Sequence, residues 1–487
     1  MTDIEDDKKT LRKVIGLPEA VAFGIGGMIG GGIFALSGSV AEQAGLTSIF
    51  VFIIAALTAM CSALPYAEFS TVIIGSGGGY SYVNEVFPEF VGFVAGWWFF
   101  LAYTLAGAFY AVVFGIYLEL IVGIHYYLFS LTLIIIFSII NVLGTKESSK
   151  TEILLVFFKL CIIVIFTVGG LLSLRVIPSN ITFTLNGMLI LNLVATVFIA
   201  FEGFDIIATL SKETREPAKV IPKAVVVSMV TVTVLYILVV IVELLTIAKQ
   251  IVPPNATPEE VILYAAYEVL GVGGIYMLTS AAIVSTMSAY NATLCAVSRV
   301  GYAMGNNKAL PRVFRMLHPK FNTPHASILM SSLIMLGVIT LLGFFIGKNT
   351  LSLTLGQLAS LAFAFSFAIV DFSLVIHRNI HTTLERKFMT PVYPITPIYG
   401  MLSAIIFGMV IAAQNMVILL IFLGLTIFGA IGYLVLVKNA RSLPEMINII
   451  QSDILKAREA LALRKFINEL NKERWWKSLK RKLHERK

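Results

Sequence analysis

Residues 24–34 read GIGGMIGGGIF, a glycine-rich stretch inside an apolar segment that is long enough to span a bilayer. A second apolar segment, in the other half of the chain, contains the interruption FIAFEGFD at residues 198–205. Glycine destabilises a helix, and unwound backbone at membrane depth persists only where it is buried or lines a cavity. Interrupted segments at corresponding places in two halves of a chain are typical of the binding sites of secondary transporters. The pattern therefore predicts two broken membrane-spanning helices that share one binding site.

The composition of the chain favours a helical membrane protein. Of its 487 residues, 58% are hydrophobic and 13% are charged, and the mean hydropathy is +0.89. Each helical span needs roughly 20 apolar residues, which accounts for so apolar a sequence. The N-terminal residues MTDIEDDKKTLRK lack the apolar core of a signal peptide, so we expect the first span to remain as an anchor. The three cysteines lie in apolar segments without metal-binding spacing, so we expect packed thiols and neither a metal nor a cofactor.

The sequence predicts twelve membrane spans, with both termini on the cytoplasmic side of the cell membrane. Of the 36 lysines and arginines, all but Arg175, Lys249 and Lys348 fall in the segments that this topology places on the cytoplasmic side, residues 146–159 among them. Cytoplasmic segments of multi-pass proteins carry such an excess of basic residues. The predicted spans are 17–43, 47–73, 89–122, 126–144, 150–174, 186–210, 221–247, 271–303, 325–346, 351–377, 396–414 and 416–437.

The tail, residues 438–487, carries the whole formal net charge of +8, because acidic and basic residues balance in the rest of the chain. Its apolar residues recur at helical spacing, which favours a basic amphipathic helix lying on anionic lipid headgroups. A solvated helical tail explains the same pattern, and neither alternative calls for a nucleic-acid partner. The apolar residues in question are Ile447, Ile450, Ile454, Ala457 and Leu461, followed by Trp475 and Trp476.

Further motifs accompany the two interrupted segments. GGGYSY at residues 77–82 leads to Gly96-Trp97, and ETREP at residues 213–217 follows the second interruption. Later in the chain stand Ser298-Arg299, Tyr302-Ala303-Met304, Leu310-Pro311 and His318-Pro319. Together with residues 24–34, these motifs resemble those of the amino acid–polyamine–organocation (APC) transporters, over about residues 10–437.

This resemblance implies an all-α membrane fold of the LeuT type, in which two repeats of five spans have opposite orientations. It places the first repeat in residues 17–174 and the second in residues 186–377, with two more spans in residues 396–437. Residues 1–16 are then a cytoplasmic N-terminus, and the tail lies outside the resemblance.

Backbone groups freed in the first interruption are suited to an amino acid. N–H groups at a helix N-terminus attract a carboxylate, and carbonyls released from a helix attract an ammonium. The resemblance implies that the N–H groups of Gly31 and Gly32, next to Gly30, hold the substrate carboxylate. The carbonyls that it assigns to the ammonium belong to Met28, Ile199, Ala200 and Glu202. A glycine face for helix packing explains Gly26 and Gly30 but not three consecutive glycines.

Two positions depart from the pattern of the family. The family often has serine where Gly31 stands and an aromatic gate where Ile199 stands. A hydroxyl donor to the carboxylate is therefore missing, and we expect looser closure over the substrate. We expect Phe201, Phe204 and Asp205 to contribute to gating or specificity, with Asp205 as a hinge or packing residue.

Lys159 lies in the apolar stretch FFKLC of the predicted fifth span, where a charge costs about 2.5–3.5 kcal/mol and needs a partner or a function. In proton-coupled relatives, a lysine at the matching position occupies the place where sodium-coupled relatives bind their ion. Burial favours the neutral form of a lysine, so the resemblance implies that Lys159 couples transport to protons. No acidic residue lies within one helical turn of it, and Glu152 is two turns away. The alternative is a fixed cation, bound to carbonyls of the first span in an exchanger.

Glu202, Glu68 and Asp371 are acidic residues that also lie in apolar segments. Glu202, inside the second interruption, either receives a cationic substrate group or a proton, or faces a water-filled pathway without a substrate role. We expect Glu68 to bond across the cytoplasmic gate. For Asp371, in the tenth predicted span, the sequence identifies no partner.

The sequence thus predicts a secondary active transporter for amino acids, driven by protons in symport through alternating access. The alternative is a sodium- and proton-independent exchanger of amino acids or amines, with cationic amino acids or polyamines as candidates. A membrane enzyme would need clustered carboxylate or histidine motifs, and a channel would need a repeated filter segment or a charged ring. The sequence contains neither pattern, and it is compatible with a monomer or a homodimer.

Overall fold

The computed structural model of the chain describes residues 11–173, 183, 185–248 and 258–440. Regular structure in these residues is helical, and they form no β-sheet. Short 3₁₀ turns occupy Ile199–Phe201, Ser211–Glu213 and Arg312–Arg315. The α-helices are α1 (Leu17–Met28), α2 (Gly31–Ala44), α3 (Thr47–Phe69), α4 (Gly79–Val86), α5 (Glu89–Val122), α6 (Tyr126–Leu143), α7 (Thr145–Ser173), α8 (Gly187–Phe198), α9 (Ile206–Thr209), α10 (Pro217–Ala248), α11 (Pro258–Leu270), α12 (Val272–Asn306), α13 (His325–Phe345), α14 (Lys348–Ile380), α15 (Ile395–Gln414) and α16 (Met416–Ala440).

Eleven stretches of the described chain are long and apolar enough to cross a membrane. The first of them, Leu17–Phe34, contains α1, a break and the start of α2. At the sixth predicted span, the helix is interrupted: α8 ends at Phe198, and α9 begins only at Ile206. Counting this interrupted helix as a span, together with the eleven stretches, gives the predicted number of twelve. The prediction of an all-α membrane fold with breaks in its first and sixth spans is confirmed.

The apolar side chains divide between a buried centre and an outer surface suited to lipid. In the most apolar stretch of 18 residues, 78% is buried in α5 and 72% in α14, but only 22% in α16. On the outside, Phe344 and Leu333 of α13 are 85% and 62% exposed. Apolar area of this extent is unfavourable in water, whereas the hydrocarbon of a bilayer covers it. The helices therefore pack around α5 and α14, with α16 at the periphery.

The end of the bundle at which α1 begins, called here the N-terminal face, is held together by backbone and ionic contacts. The N–H groups of Val14 and Ile15 both donate to the carbonyl of Glu213 at 2.9 Å, and the N–H group of Arg215 donates to the carbonyl of Ile15 at 2.8 Å. The carboxylate of Glu213 accepts a bond from the buried guanidinium of Arg299 at 3.0 Å. These contacts join the segment before α1, the turn after α9 and the end of α12.

The observed helices differ from the predicted spans at several ends and include two short helices. α4 and α11, with 8 and 13 residues, are too short to span a bilayer and were not predicted as spans. α7 begins at Thr145 instead of residue 150, because its first turns are polar and extend beyond the apolar segment. The amphipathic helix predicted in the tail lies outside the described residues, as do residues 1–10 of the N-terminus. The division into two inverted repeats stays a prediction.

Candidate functional site

The first break separates α1 from α2 at residues 29–30. Ile29 leaves helical geometry at φ −80° and ψ 76°, and Gly30 is extended at φ −99° and ψ −151°. α2 then begins at Gly31, so the N–H groups of its first turn have no carbonyl of their own helix to bind. The positive end of the α2 dipole is thereby presented at the centre of the bundle, where it can attract an anion.

The surroundings of the first turn of α2 are less crowded at Gly32 than at Gly31. A Cβ atom placed on Gly32 would make ordinary van der Waals contact with Ala200 of the second break, at 3.8 Å. At Gly31 a Cβ would lie 3.3 Å from a methyl group of Val113 and 3.4 Å from that of Thr286. The predicted carboxylate site thus borders the second break at Gly32 and side chains of α5 and α12 at Gly31.

Gly30 lies against the ring of Tyr110. A Cβ at Gly30 would come within 2.6 Å of that ring and within 3.1 Å of Ala289, so a larger residue could not take this position without displacing α5 or α12. The sequence argument missed Tyr110, Val113 and Thr286 as walls of the site. They lie in long apolar segments, where nothing local distinguishes them from residues that face lipid.

The second break, residues 199–205, begins with the 3₁₀ turn Ile199–Phe201. Here the buried hydroxyl of Tyr236, from α10, lies 2.8 Å from the carbonyl oxygen of Met28 and 2.9 Å from that of Ala200. Its ring packs edge-on against Phe201 at a centroid distance of 5.1 Å. Two of the four carbonyls predicted to accept the ammonium, one from each break, therefore converge on one point. Sequence reasoning did not identify Tyr236.

Glu202 is buried at the second break, with one carboxylate oxygen bound and one not. Oε2 accepts a hydrogen bond from the hydroxyl of Ser360, in α14, at 3.3 Å. Oε1 is buried and has no hydrogen-bond partner among the described residues. A buried oxygen of this kind is costly unless a polar group of another molecule satisfies it.

The other predicted residues of the second break are held by packing. Phe204 is fully buried between Tyr66, at a centroid distance of 5.6 Å, and Phe367, at 4.9 Å. Asp205 accepts a short hydrogen bond from the hydroxyl of Tyr103 in α5. These contacts fix the loop against α3, α5 and α14.

Lys159 of α7 binds the end of α1. Its Nζ donates to the carbonyl oxygens of Ile29, at 2.7 Å, and Gly26, at 3.2 Å, and to the hydroxyl of Ser288 in α12, at 3.0 Å. The side chain is completely buried, so these three bonds use all three donors of the ammonium. A cation at the C-terminus of α1 also interacts favourably with the helix dipole.

Glu152, the acid two turns from Lys159 along α7, makes no direct contact with it, but the tertiary structure links the two side chains through α12. Glu152 lies two turns earlier on α7 and accepts a short hydrogen bond from the same Ser288 hydroxyl that Lys159 binds. Its other oxygen accepts from the Asn291 side chain at 2.6 Å. Because the linking residues belong to α12, residue spacing along α7 did not indicate this connection.

Two further carboxyl groups are buried within the spans. Glu243 of α10 accepts a hydrogen bond from Ser37 of α2 at 2.8 Å, and the sequence argument did not single it out. Asp371, for which the sequence offered no partner, accepts from Ser62 of α3 at 2.8 Å. In each case the second carboxylate oxygen has no hydrogen-bond partner within the described chain.

Glu68 connects α3 to α14 and to the segment that follows it. It accepts from the guanidinium of Arg378 at 2.7 Å and from the backbone N–H group of Thr390 at 2.7 Å, and Arg386 lies 3.3 Å away. The carboxylate is fully buried, so its bonds hold these elements together.

Known proteins resemble this chain over most of its length. A family model described as amino acid permease matches residues 15–445. The methylthioribose transporter of Bacillus subtilis (strain 168) is 28% identical over 424 residues, which cover 81% of this chain and 87% of that protein. The branched-chain amino acid permease BcaP of the same organism is 26% identical over 420 residues, or 80% and 86% of the two chains. Its serine/threonine exchanger SteT is 29% identical over 412 residues, or 80% and 88%. The family and these relatives are permeases and transporters, not enzymes.

Proposed function

The chain belongs to the amino acid permease family, and we propose that it is a secondary active transporter that carries amino acids across the cell membrane by alternating access. The observation that carries this proposal is the convergence of the two breaks. The carbonyls of Met28 and Ala200 meet at the Tyr236 hydroxyl, close to the free N–H groups at the start of α2. Groups that can bind an ammonium and groups that can bind a carboxylate thus lie side by side at the centre of the bundle.

The substrate backbone binds as a zwitterion in this proposal. The N–H groups of Gly31 and Gly32, in the turn that Gly30 caps, receive the carboxylate. The ammonium is received by carbonyls of the two breaks, those of Met28, Ile199, Ala200 and Glu202. The closeness of Ala200 to Gly32 supports this arrangement, because a ligand at this point contacts the first turn of α2 and the second break together.

The side chain of the substrate lies near Glu202. Its free Oε1 suits an ammonium, a guanidinium or a hydroxyl donor better than an alkyl group. Basic amino acids, amines and hydroxyl-bearing amino acids are therefore the favoured substrates. The similarity to a serine/threonine exchanger supports this preference, whereas the similarity to a branched-chain permease favours neutral apolar substrates.

The transport cycle is coupled to protons through Lys159, which binds α1 at the break. A change in its charge alters its attraction for the carbonyls of Gly26 and Ile29 and thereby biases the position of α1. A second candidate is exchange without protons or sodium, in which Lys159 stays charged. The complete satisfaction of its three donors supports that candidate.

The proposal includes a topology with both termini in the cytoplasm, which places the N-terminal face on that side. It also includes two inverted repeats, residues 17–174 and 186–377, and a basic tail that lies on anionic lipids.

Uptake by the purified protein in proteoliposomes tests the function. A panel of labelled amino acids and amines is offered under an inward proton gradient, under an inward sodium gradient and with unlabelled substrate inside. Accumulation under the proton gradient alone supports symport, and labelled uptake only against internal substrate supports exchange. Failure of every amino acid in all three conditions would overturn the proposal.

A further inference from the structure

A continuous hydrogen-bonded chain links Lys159 to Glu152 through a single hydroxyl group. The Lys159 ammonium lies 3.0 Å from Oγ of Ser288, and that hydroxyl makes a short bond to Oε1 of Glu152. All three side chains are completely buried at the interface of α7 and α12. The chain spans the two helical turns that separate the two charged residues along α7.

The hydrogen bonds that link Lys159, Ser288 and Glu152 all donate in the direction of Glu152. An ionised carboxylate only accepts, so the Ser288 proton is directed at Glu152, and the oxygen of Ser288 is left to accept from Lys159. The second oxygen of Glu152 accepts from the amide of Asn291, whose own oxygen accepts from Asn141 at 2.9 Å. An amide does not readily give up a proton, so these asparagines orient the carboxylate and the proton chain ends at Glu152.

Few other charges act on this pair. The described helices that pack against α7 are α1, α6, α10, α11 and α12. Among these helices and α7 itself, Glu152 is the charged group that faces Lys159, and Lys159 is the charged group that faces Glu152. The thiol of Cys295 lies beyond Glu152, followed by the ion pair of Arg299 and Glu213 at the N-terminal face. The two charges therefore depend on each other for neutralisation.

We infer that Glu152 is the proton acceptor for Lys159, with the Ser288 hydroxyl as the relay, an inference that rests on the proposed proton coupling. The Lys159 ammonium gives one proton to the oxygen of Ser288 while the original Ser288 proton passes to Oε1 of Glu152. The products are a neutral amine, an unchanged hydroxyl and a neutral carboxylic acid. Both charges disappear together, and the total charge of the pair stays the same.

The position of α1 decides when this transfer is favourable. Two of the three acceptors of the Lys159 ammonium are carbonyls of α1 and of the break directly after it, and the third, Ser288, belongs to α12. If α1 moves away during the cycle, the ammonium loses these two acceptors while its path to Glu152 stays in place. A buried charge without partners is costly, whereas a neutral amine beside a neutral acid is not. The movement of α1 thus drives the proton towards Glu152, which lies nearer the N-terminal face.

The test compares two transport modes in proteoliposomes that contain the full chain. Glu152→Gln and Ser288→Ala remove the acceptor and the relay, and Lys159→Ala removes the donor. Ser332→Ala is the matched control, since it removes a buried hydroxyl that lies 2.7 Å from Ser138 in another part of the bundle. We expect Glu152→Gln and Ser288→Ala to lose accumulation driven by an inward proton gradient and to keep exchange of labelled against unlabelled substrate. The control should keep both.

The possible outcomes separate this inference from the proposed function. If Lys159→Ala loses proton-driven accumulation but Glu152→Gln and Ser288→Ala keep it, the relay is wrong and the coupling role of Lys159 stands. Equal loss of exchange and accumulation in both relay variants indicates a structural role and also overturns the inference. A wild-type protein that does not respond to protons overturns the coupling proposal together with the relay.

Infrared difference spectroscopy adds a direct readout. The wild type should show the carbonyl band of a protonated carboxyl group when substrate is added, and Glu152→Gln should lack it. The same band in Glu152→Gln would assign the proton to another acid and overturn the inference.

Discussion

Gly203 lies directly against Gly27, so that the second break touches the last turn of α1 backbone to backbone. A Cβ atom on Gly203 would come within 2.6 Å of the carbonyl carbon of Gly27, and the φ angle of Gly203 is +118°, which L side chains rarely adopt. This contact brings the freed groups of the two broken spans within reach of one small molecule.

Gly203→Ala should destabilise the protein by about 1–3 kcal/mol, because the new methyl group meets the backbone of α1 and not a movable side chain. The melting temperature of the purified protein in detergent measures the effect. Gly337→Ala in α13 is the control, since a Cβ at that position meets nothing within 4 Å. Equal melting temperatures for the two variants would contradict the close contact.

Gly32→Leu should abolish substrate binding without preventing folding. Its Cβ has room, with no atom closer than 3.8 Å, but the rest of the leucine side chain would fill the space proposed for the substrate. The same substitution at Gly31 should also abolish binding, with greater strain against Val113 and Thr286. Equilibrium binding of a transported amino acid checks this, with gel filtration to confirm a folded protein. Unchanged affinity in folded Gly32→Leu would rule out the assigned carboxylate site.

Glu202→Gln should weaken the binding of arginine, lysine or polyamines more than that of neutral amino acids. A charge-assisted hydrogen bond contributes about 1.5–3 kcal/mol, and the glutamine retains the shape of the side chain but not its charge. Competition of unlabelled ligands against one labelled substrate measures both classes in the same assay. Equal weakening of both classes, or of neither, would show that Glu202 does not select side chains.

Lys159→Ala should lose accumulation under an inward proton gradient while still binding substrate, and sodium should have no effect on the wild type. The variant removes the only described side chain that binds the Gly26 and Ile29 carbonyls from α7. Uptake and binding, measured on the same preparation, separate coupling from recognition. Full proton-driven accumulation in the variant, or strict dependence of the wild type on sodium, would leave exchange as the better account.

Breaking the buried ion pair at the N-terminal face should also be costly. Glu213→Ala leaves the Arg299 guanidinium buried without its counter-ion, a change that destabilises proteins by about 3–5 kcal/mol. The double variant Glu213→Leu with Arg299→Met should recover part of that loss. Glu216→Ala breaks an exposed pair with Lys219 and should leave the melting temperature almost unchanged. If Glu213→Ala behaves like Glu216→Ala, the pair does not hold this face together.

Local sequence determined the features that depend on neighbouring residues only. The length of each apolar segment set the number of spans, since a bilayer of given thickness requires a given helix length. The three glycines of residues 30–32 marked the first break, and residues 198–205 marked the second. Both breaks could be found because low helix stability is a property of the residues within one segment. The position of Lys159 in an apolar segment likewise required a partner, although the sequence did not say which.

Only the tertiary structure decided which groups meet across helices. Ser288 and Tyr236 are polar residues in apolar stretches, and nothing in their own segments shows that one joins Lys159 to Glu152 and the other joins Met28 to Ala200. Such contacts link residues that lie up to 208 positions apart. They depend on the rotation and crossing of packed helices, which result from the sum of many side-chain contacts. The sequence therefore determined where the membrane helices break, and the packing of the bundle determined what the broken ends can bind.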